Sequence, residues 1–175
     1  MKLHIGTGNT YLPDWINVDV FSFLKADIHS NAMSLPYDRE TFDIIYSSHV
    51  LEHFNRHTTL AVLGHWHDLL KVGGILRLSV PNFDAICEFY MKTGSLEAVT
   101  GLLYGGQKHL LDNHYIVFNK ETLSICLQAV GFKIIREWDW RETEHKFYDD
   151  YSQAYLPHMD KDRGTHMSLN LEAIK

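Results

Sequence analysis

The sequence predicts an α/β fold: a doubly wound sheet, parallel over its first half and finished by an antiparallel pair. Three observations carry this. Short apolar runs recur before residue 50, each breaking into polar or glycine-rich residues at its carboxyl end. A long helical pattern then separates two further apolar runs, the order of a parallel crossover. Residues 132–175 hold two segments that alternate apolar and polar, as half-buried antiparallel strands do.

The elements follow in order. Residues 3–6 form the first strand, and 7–15 a loop, because Pro13 and two glycines leave no room for a helix. Residues 16–20 are the second strand, and Lys25–Ile28 a short third. Residues 30–37 are a loop and 38–41 a turn. Phe42–Ser47 is a buried strand centred on Ile44-Ile45-Tyr46. A helix runs from about Val50 to Lys71, with Leu60, Leu63, Trp66, Leu69 and Leu70 at three- and four-residue steps. Gly73-Gly74 stops it. Ile75–Val80 is the next strand. Asp84–Lys92 and Leu96–Tyr104 read as helices parted by Thr93-Gly94-Ser95. Lys120–Val130 is a helix with Asn119 as its N-cap and Gly131 beyond its end. Phe132–Trp138 and Met167–Ile174 are the closing strands. Residues 141–166 are charged, aromatic and without period. A connection of that length is expected to be functional, interface-forming or mobile.

Composition bounds the function. With 175 residues and 45% hydrophobic content, one domain with a real core is expected. A net charge of -6 gives no basic footprint, which argues against nucleic acid as the partner. Cys87 and Cys126 stand far apart with no Cys-x-x-Cys, so both are expected reduced and buried. No apolar stretch approaches the length of a membrane span, and no signal segment opens the chain, so a cytoplasmic location is expected and no membrane partner.

In doubly wound sheets ligands bind beyond the carboxyl ends of the strands. Here those ends carry Gly6-Thr7-Gly8, Asp19, Asn31, Ser47-Ser48-His49 and Pro81-Asn82. Glycines let backbone approach a ligand closely, and a carboxylate at the end of the second strand suits a ribose diol. Each has a plainer reading: a tight turn, or a solvent-facing carboxylate. Asp43 fits a turn or cap better than a site.

Taken in order, Gly6-x-Gly8, Asp19, Asn31-Ala32-x-x-Leu35-Pro36-Tyr37, Phe42-Asp43-Ile44-Ile45, Val50-Leu51-x-His53 and Leu70-Lys71-x-Gly73-Gly74 resemble the class I S-adenosylmethionine-dependent methyltransferases. The closer likeness is to small members with a Ser-Ser-His-Val-Leu-Glu-His segment. Phe118, Thr122, Leu127, Gly131 and Phe132 continue it downstream. The resemblance implies a Rossmann-like, seven-stranded mixed sheet with S-adenosyl-L-methionine across strands one to four. It implies that Gly6, Thr7, Gly8 and Asn9 lie against the methionine part, with Asp19 on the ribose and Val20 on the adenine. Asn31 and Ala32 would meet the adenine edge, with Asp27 a rival for that role, and Ser47 and Ser48 would border the sulfur end.

Two departures from the family pattern stand out. Asn9 and Thr10 replace the usual third glycine, and the first two crossovers are too short for helices, with about nine and five residues available. A parallel sheet needs cover on both faces. Residues 141–166, the 84–104 helices or a second subunit must supply it, and on this ground a homo-oligomer is expected.

Methyl transfer needs alignment of acceptor and methyl, and a base where the acceptor is protonated. His53, then His114, then His49 are the candidate bases. His53 packing under the rim is the competing reading. The acceptor is expected to be a small molecule or sugar, with hydroxyl or amine as target. His49-Val50-Leu51-Glu52-His53 also matches H-x-x-E-H, the inverted zinc-protease pattern, but no third ligand follows it clearly. A shortened cofactor half serving only as a scaffold is the remaining alternative.

Overall fold

The computed structural model describes residues 1–175. Seven strands form one sheet: β1 (Lys2–Ile5), β2 (Ile16–Asp19), β3 (Ile28–His29), β4 (Phe42–Ser48), β5 (Leu70–Pro81), β6 (Ile134–Glu137) and β9 (Ser168–Ile174). Their spatial order is β3-β2-β1-β4-β5-β9-β6. The first five are parallel, and β9 runs antiparallel between β5 and β6. A separate two-stranded hairpin, β7 (Tyr155–Leu156) with β8 (Thr165–His166), lies within the long connection. The sheet is therefore doubly wound and mixed, as expected.

The register matters for function. Ile5 pairs with Val18 and with Ser47, and Ser48 pairs with Ser79. The residues just past β1, β2 and β4 therefore finish at one level, and their polar ends meet along one rim.

One face is apolar and helix-covered. Helices α1 (Thr59–Leu69) and α4 (Lys120–Ala129) pack on Leu3, Ile5, Ile45, Leu76, Leu78, Leu169 and Leu171. Trp66 is fully buried at this interface and donates its indole N–H to the Ala32 carbonyl at 2.8 Å. Asn119 caps α4 through a reciprocal bond with Thr122, as its position predicts. Helices α2 (Phe83–Thr93) and α3 (Leu96–Tyr104) close a smaller cluster with Val99, Ala154 and Met167.

The other face lacks the early crossover helices. In their place, residues 139–153 of the same chain lie across it. Tyr46 is fully buried there among Trp15, Trp138 and His145, and donates to Asp150 at 2.5 Å. Arg77 spans this face, bonding Glu172 at 2.9 Å and Glu144 at 2.9 Å. The loop that replaces the first helix is held by buried Asn17. Its amide donates to the carbonyls of Leu12 and Trp15, and its oxygen accepts from Leu12 N–H. Of the three sources of cover that the sequence allowed, the long connection is the one seen on this face, through residues 139–153.

Several expected boundaries move. The single helix from Val50 to Lys71 is instead a short 3-10 turn, Leu51–His53, followed by α1 from Thr59. The interruption has a cause: the Asn55 side chain accepts from the N–H groups of His57 and Thr58 and starts a new helix. Gly73-Gly74 does not stop that helix. Leu70 already pairs with Phe42, and both glycines lie inside β5 in a bulged stretch where Gly73 takes φ +78°. The third strand falls at Ile28–His29, later than expected, and Asp27 before it is exposed and accepts from Asn17 N–H at 2.8 Å. Cys87 and Cys126 are free as expected, yet Cys87 is exposed, being on the outer side of α2. Asp43 is structural: it pairs with the amino terminus and with Lys71.

Candidate active site

The rim begins at the ends of β1 and β2. Asp19 is buried, and its Oδ2 accepts from Gly8 N–H at 3.0 Å and from Thr7 Oγ at 3.2 Å. Its Oδ1 accepts only from Phe21 N–H, so one lone pair on that oxygen is free. The two glycines differ. A Cβ on Gly6 would stand 2.1 Å from a methyl of Val50, while a Cβ on Gly8 would meet nothing within 4 Å. Gly6 is therefore glycine because Val50 packs on it, and Gly8 and Asn9 form the open turn. Val20 and Asn31 are exposed beside it. Asn31 uses its own oxygen to accept from Met33 N–H, which leaves its amide hydrogens outward.

Two expected contacts turn inward. Ala32 packs on the core and gives its carbonyl to Trp66. Ser47 is buried and donates to the Ile5 carbonyl at 3.3 Å, within the sheet. Ser48, one residue on, points to the opposite side, and its buried hydroxyl has no partner. Asp27 binds Asn17 and Tyr11 and belongs to the loop clamp.

β4 ends in a sharp turn. His49 adopts φ +52°, a left-handed conformation uncomfortable for a residue with a Cβ. The turn sets His49, Glu52 and His53 around one point. Glu52 is wholly buried, and neither carboxylate oxygen has a hydrogen-bond partner. Burial raises Glu52 to about 8. His49 Nδ1 lies 3.3 Å from Glu52 Oε1, and burial, then the neighbouring histidines, lower it to about 3. His49 and His53 do not share a helical face, so the zinc-protease geometry that H-x-x-E-H would need is absent.

His114 arrives from a distant loop. Tyr115 N–H donates to the Glu52 carbonyl at 2.9 Å, and His114 N–H to the Tyr104 carbonyl at 3.1 Å. The loop can turn this tightly because Gly105 and Gly106 face Asp112, where a Cβ would fall 2.1 and 2.5 Å from its oxygens. His114 Nε2 comes to 3.9 Å from Glu52 Oε1, and its ring lies 4.8 Å from that of His53. Burial lowers both His53 and His114. The same loop reaches the β2 end, where His109 meets Phe21 edge-on at 4.8 Å.

A cavity of about 530 Å³ opens at the carboxyl end of β5 and β6, lined by Asn82, Trp138, Trp140, Arg141, His166 and Asn170 among others. Ser168 also lines it and bonds His49 at 2.9 Å, so the cavity adjoins the histidine cluster.

All three candidate bases are thus brought together. What sequence reasoning missed is the weight of Glu52 as a buried acceptor, and Ser168 as the partner of His49. The signal for Glu52 was present: a carboxylate inside the apolar run Val50-Leu51-Glu52-His53-Phe54. No sequence pattern marks Ser168.

Comparison with known proteins bears on the fold and the family. The family described as methyltransferase domain matches residues 3–137, well over half of the chain. No curated protein matches. Among solved structures, an S-adenosylmethionine-dependent methyltransferase from Archaeoglobus fulgidus superposes with TM-score 0.62 at 17% identity, over 99% of this chain and 85% of its own. One from Thermotoga maritima, described as a possible histamine N-methyltransferase, gives 0.64 at 15%, over 99% and 81%. A Burkholderia thailandensis 1,6-didemethyltoxoflavin N1-methyltransferase, solved with its acceptor and S-adenosylhomocysteine, gives 0.52 at 18%, over 85% and 49%. A family match across that much of the sequence decides membership: the chain belongs to the methyltransferase-domain family and is an S-adenosylmethionine-dependent methyltransferase.

Proposed function

We propose that this enzyme methylates a hydroxyl or amine of a small-molecule or sugar acceptor, with the cofactor across the ends of β1, β2 and β4. The residues present fit the cofactor. The free lone pair on Asp19 Oδ1 would take a ribose hydroxyl. Exposed Val20 would lie on the adenine, and the Asn31 amide would meet its edge. The open side of Gly8 leaves room beside the backbone, and the unpartnered Ser48 hydroxyl supplies a polar atom toward the sulfur end. When bound, the cofactor supplies a methyl on a sulfonium that needs no further activation.

The chain's own task is then alignment and proton removal. His53 Nδ1 is 3.0 Å from the Asn113 carbonyl and His114 Nδ1 is 2.9 Å from that of Leu102. A carbonyl only accepts, so each Nδ1 carries the hydrogen and each Nε2 keeps its lone pair. The acceptor's proton passes to one of these nitrogens as its own lone pair takes the methyl. The aromatic and polar cavity beside the cluster suits a sugar or small ring compound, and the net charge of -6 disfavours nucleic acid.

The observation that carries this reading is the common level of Asp19, Gly8 and Ser48 beside two neutral, tautomer-fixed imidazoles. The test is calorimetry with S-adenosylhomocysteine, followed by methyl transfer to a panel of hydroxyl and amine acceptors. His53→Ala or His114→Ala should keep cofactor affinity and lose about 10²–10⁴-fold in turnover. Cofactor binding without turnover on any acceptor would favour a scaffold instead.

A further inference from the structure

The atoms that converge on Glu52 are all acceptors. His53 and His114 each spend their Nδ1 hydrogen on a backbone carbonyl, so each presents a bare Nε2. Ser168 Oγ donates to the Tyr151 carbonyl at 2.5 Å, so it accepts from His49 Nε2–H, and His49 Nδ1 is bare as well. That nitrogen lies 3.3 Å from Glu52 Oε1. Both oxygens of Glu52 are buried and unpartnered. One ring nitrogen from each of His53 and His114 and one carboxylate oxygen of Glu52 lie within 4.8 Å of one another. Buried acceptors facing only acceptors are unstable. A proton on Glu52 relieves one of them; a cation relieves all.

We propose that Glu52, His53 Nε2 and His114 Nε2 together bind one divalent transition-metal ion, with His49 Nδ1 as a fourth acceptor alongside. Two imidazoles and a carboxylate form a donor set that suits zinc or a neighbouring first-row metal and leaves a coordination position open. Carbonyls gripping the far nitrogen of each ring are the usual outer support of metal-bound histidine. Tetrahedral ligands sit about 3.3 Å apart at zinc–nitrogen distances of about 2.0–2.1 Å, so the three groups must close in slightly. The site's existence does not depend on the acceptor. Its consequence rests on the methyl-transfer reading: in the metal-loaded protein an ion there would hold the acceptor oxygen or nitrogen and ease its deprotonation, whereas in the metal-free protein the same imidazole lone pairs stay available as bases.

The test uses the metal-stripped, full-length protein titrated with Co²⁺, read by visible absorption and by metal content after gel filtration, with Zn²⁺ as competitor. The expected result is one Co²⁺ per chain, with the intense bands of a four- or five-coordinate site, displaced by Zn²⁺. Glu52→Gln and His114→Ala should each lower affinity at least tenfold and abolish the bands. Exposed His57→Ala should change neither. Folding of each variant is checked by circular dichroism; Glu52→Gln keeps the side chain's shape and is the variant of record if His114→Ala misfolds. No Co²⁺ bound, or binding with weak octahedral bands indifferent to Glu52→Gln, overturns the proposal. S-adenosylhomocysteine calorimetry on the same stripped protein reports separately on the methyltransferase reading.

Discussion

The contrast between Gly6 and Gly8 yields a quantitative prediction. Both take positive φ, +77° and +50°, so alanine at either position incurs the left-handed penalty of roughly 1–2 kcal/mol. At Gly8 that is the whole cost, because the added methyl meets open space. At Gly6 the methyl would stand 2.1 Å from Val50 Cγ2, and overpacking adds about 1–3 kcal/mol. Gly6→Ala should therefore lose about 2–5 kcal/mol and Gly8→Ala about 1–2 kcal/mol in urea unfolding. For a chain of this size each kcal/mol is about 2–4 °C in midpoint. Val50→Ala in the Gly6→Ala background should recover the packing part only, as a favourable coupling of about 1–3 kcal/mol in a double-mutant cycle. In cofactor calorimetry the order reverses: the folded Gly8→Ala protein should be the weaker binder. Equal destabilisation by the two alanines, or no coupling between positions 6 and 50, would refute the reasoning.

Three further outcomes are expected. Asn17→Ala should destabilise by about 2–4 kcal/mol in chemical unfolding, since it strands the buried Leu12 and Trp15 backbone groups. His145 is lowered to about 4 by burial and then by Arg77; the unfolded chain binds the proton first, so stability is lost as pH falls from 6.5 toward 4. By the 1.36 kcal/mol per unit relation the loss is at most about 3 kcal/mol, and His145→Gln should flatten that part of the pH–stability curve. Glu172→Gln should cost about 3–5 kcal/mol by thermal or chemical melting, because it leaves Arg77 buried with half its charge partners gone.

Much of this was readable from residues alone, for identifiable reasons. The succession of parallel strands closed by an antiparallel pair, the α4 cap at Asn119 and the alternation of β9 come from local patterns that tertiary contacts did not override. Leu169, Leu171 and Ala173 face the apolar core as expected, and Asn170 and Glu172 the other side. The break at Asn55 was missed because helical periodicity in Leu60–Leu70 was extended backward over a polar turn. The inward turn of Ala32 and Ser47 was missed because it depends on partners distant in sequence, Trp66 and Ile5. Cover for the second face was a three-way choice on the sequence. Only the contacts of Tyr46 with Asp150 and Arg77 with Glu144 select residues 139–153. The meeting of His114 with Glu52 likewise depends on a backbone bond, from Tyr115 N–H, that no side-chain pattern announces.

Where the adenosyl group rests decides whether the ends of β1, β2 and β4 form the cofactor site. A crystal structure with S-adenosylhomocysteine tests it directly. The ribose hydroxyls are predicted on Asp19 and the adenine beside Val20, with the sulfur facing Ser48. Density for the ligand in the Trp138–Trp140 cavity, or at any place that leaves Asp19 bonded only to Thr7, Gly8 and Phe21, would contradict it.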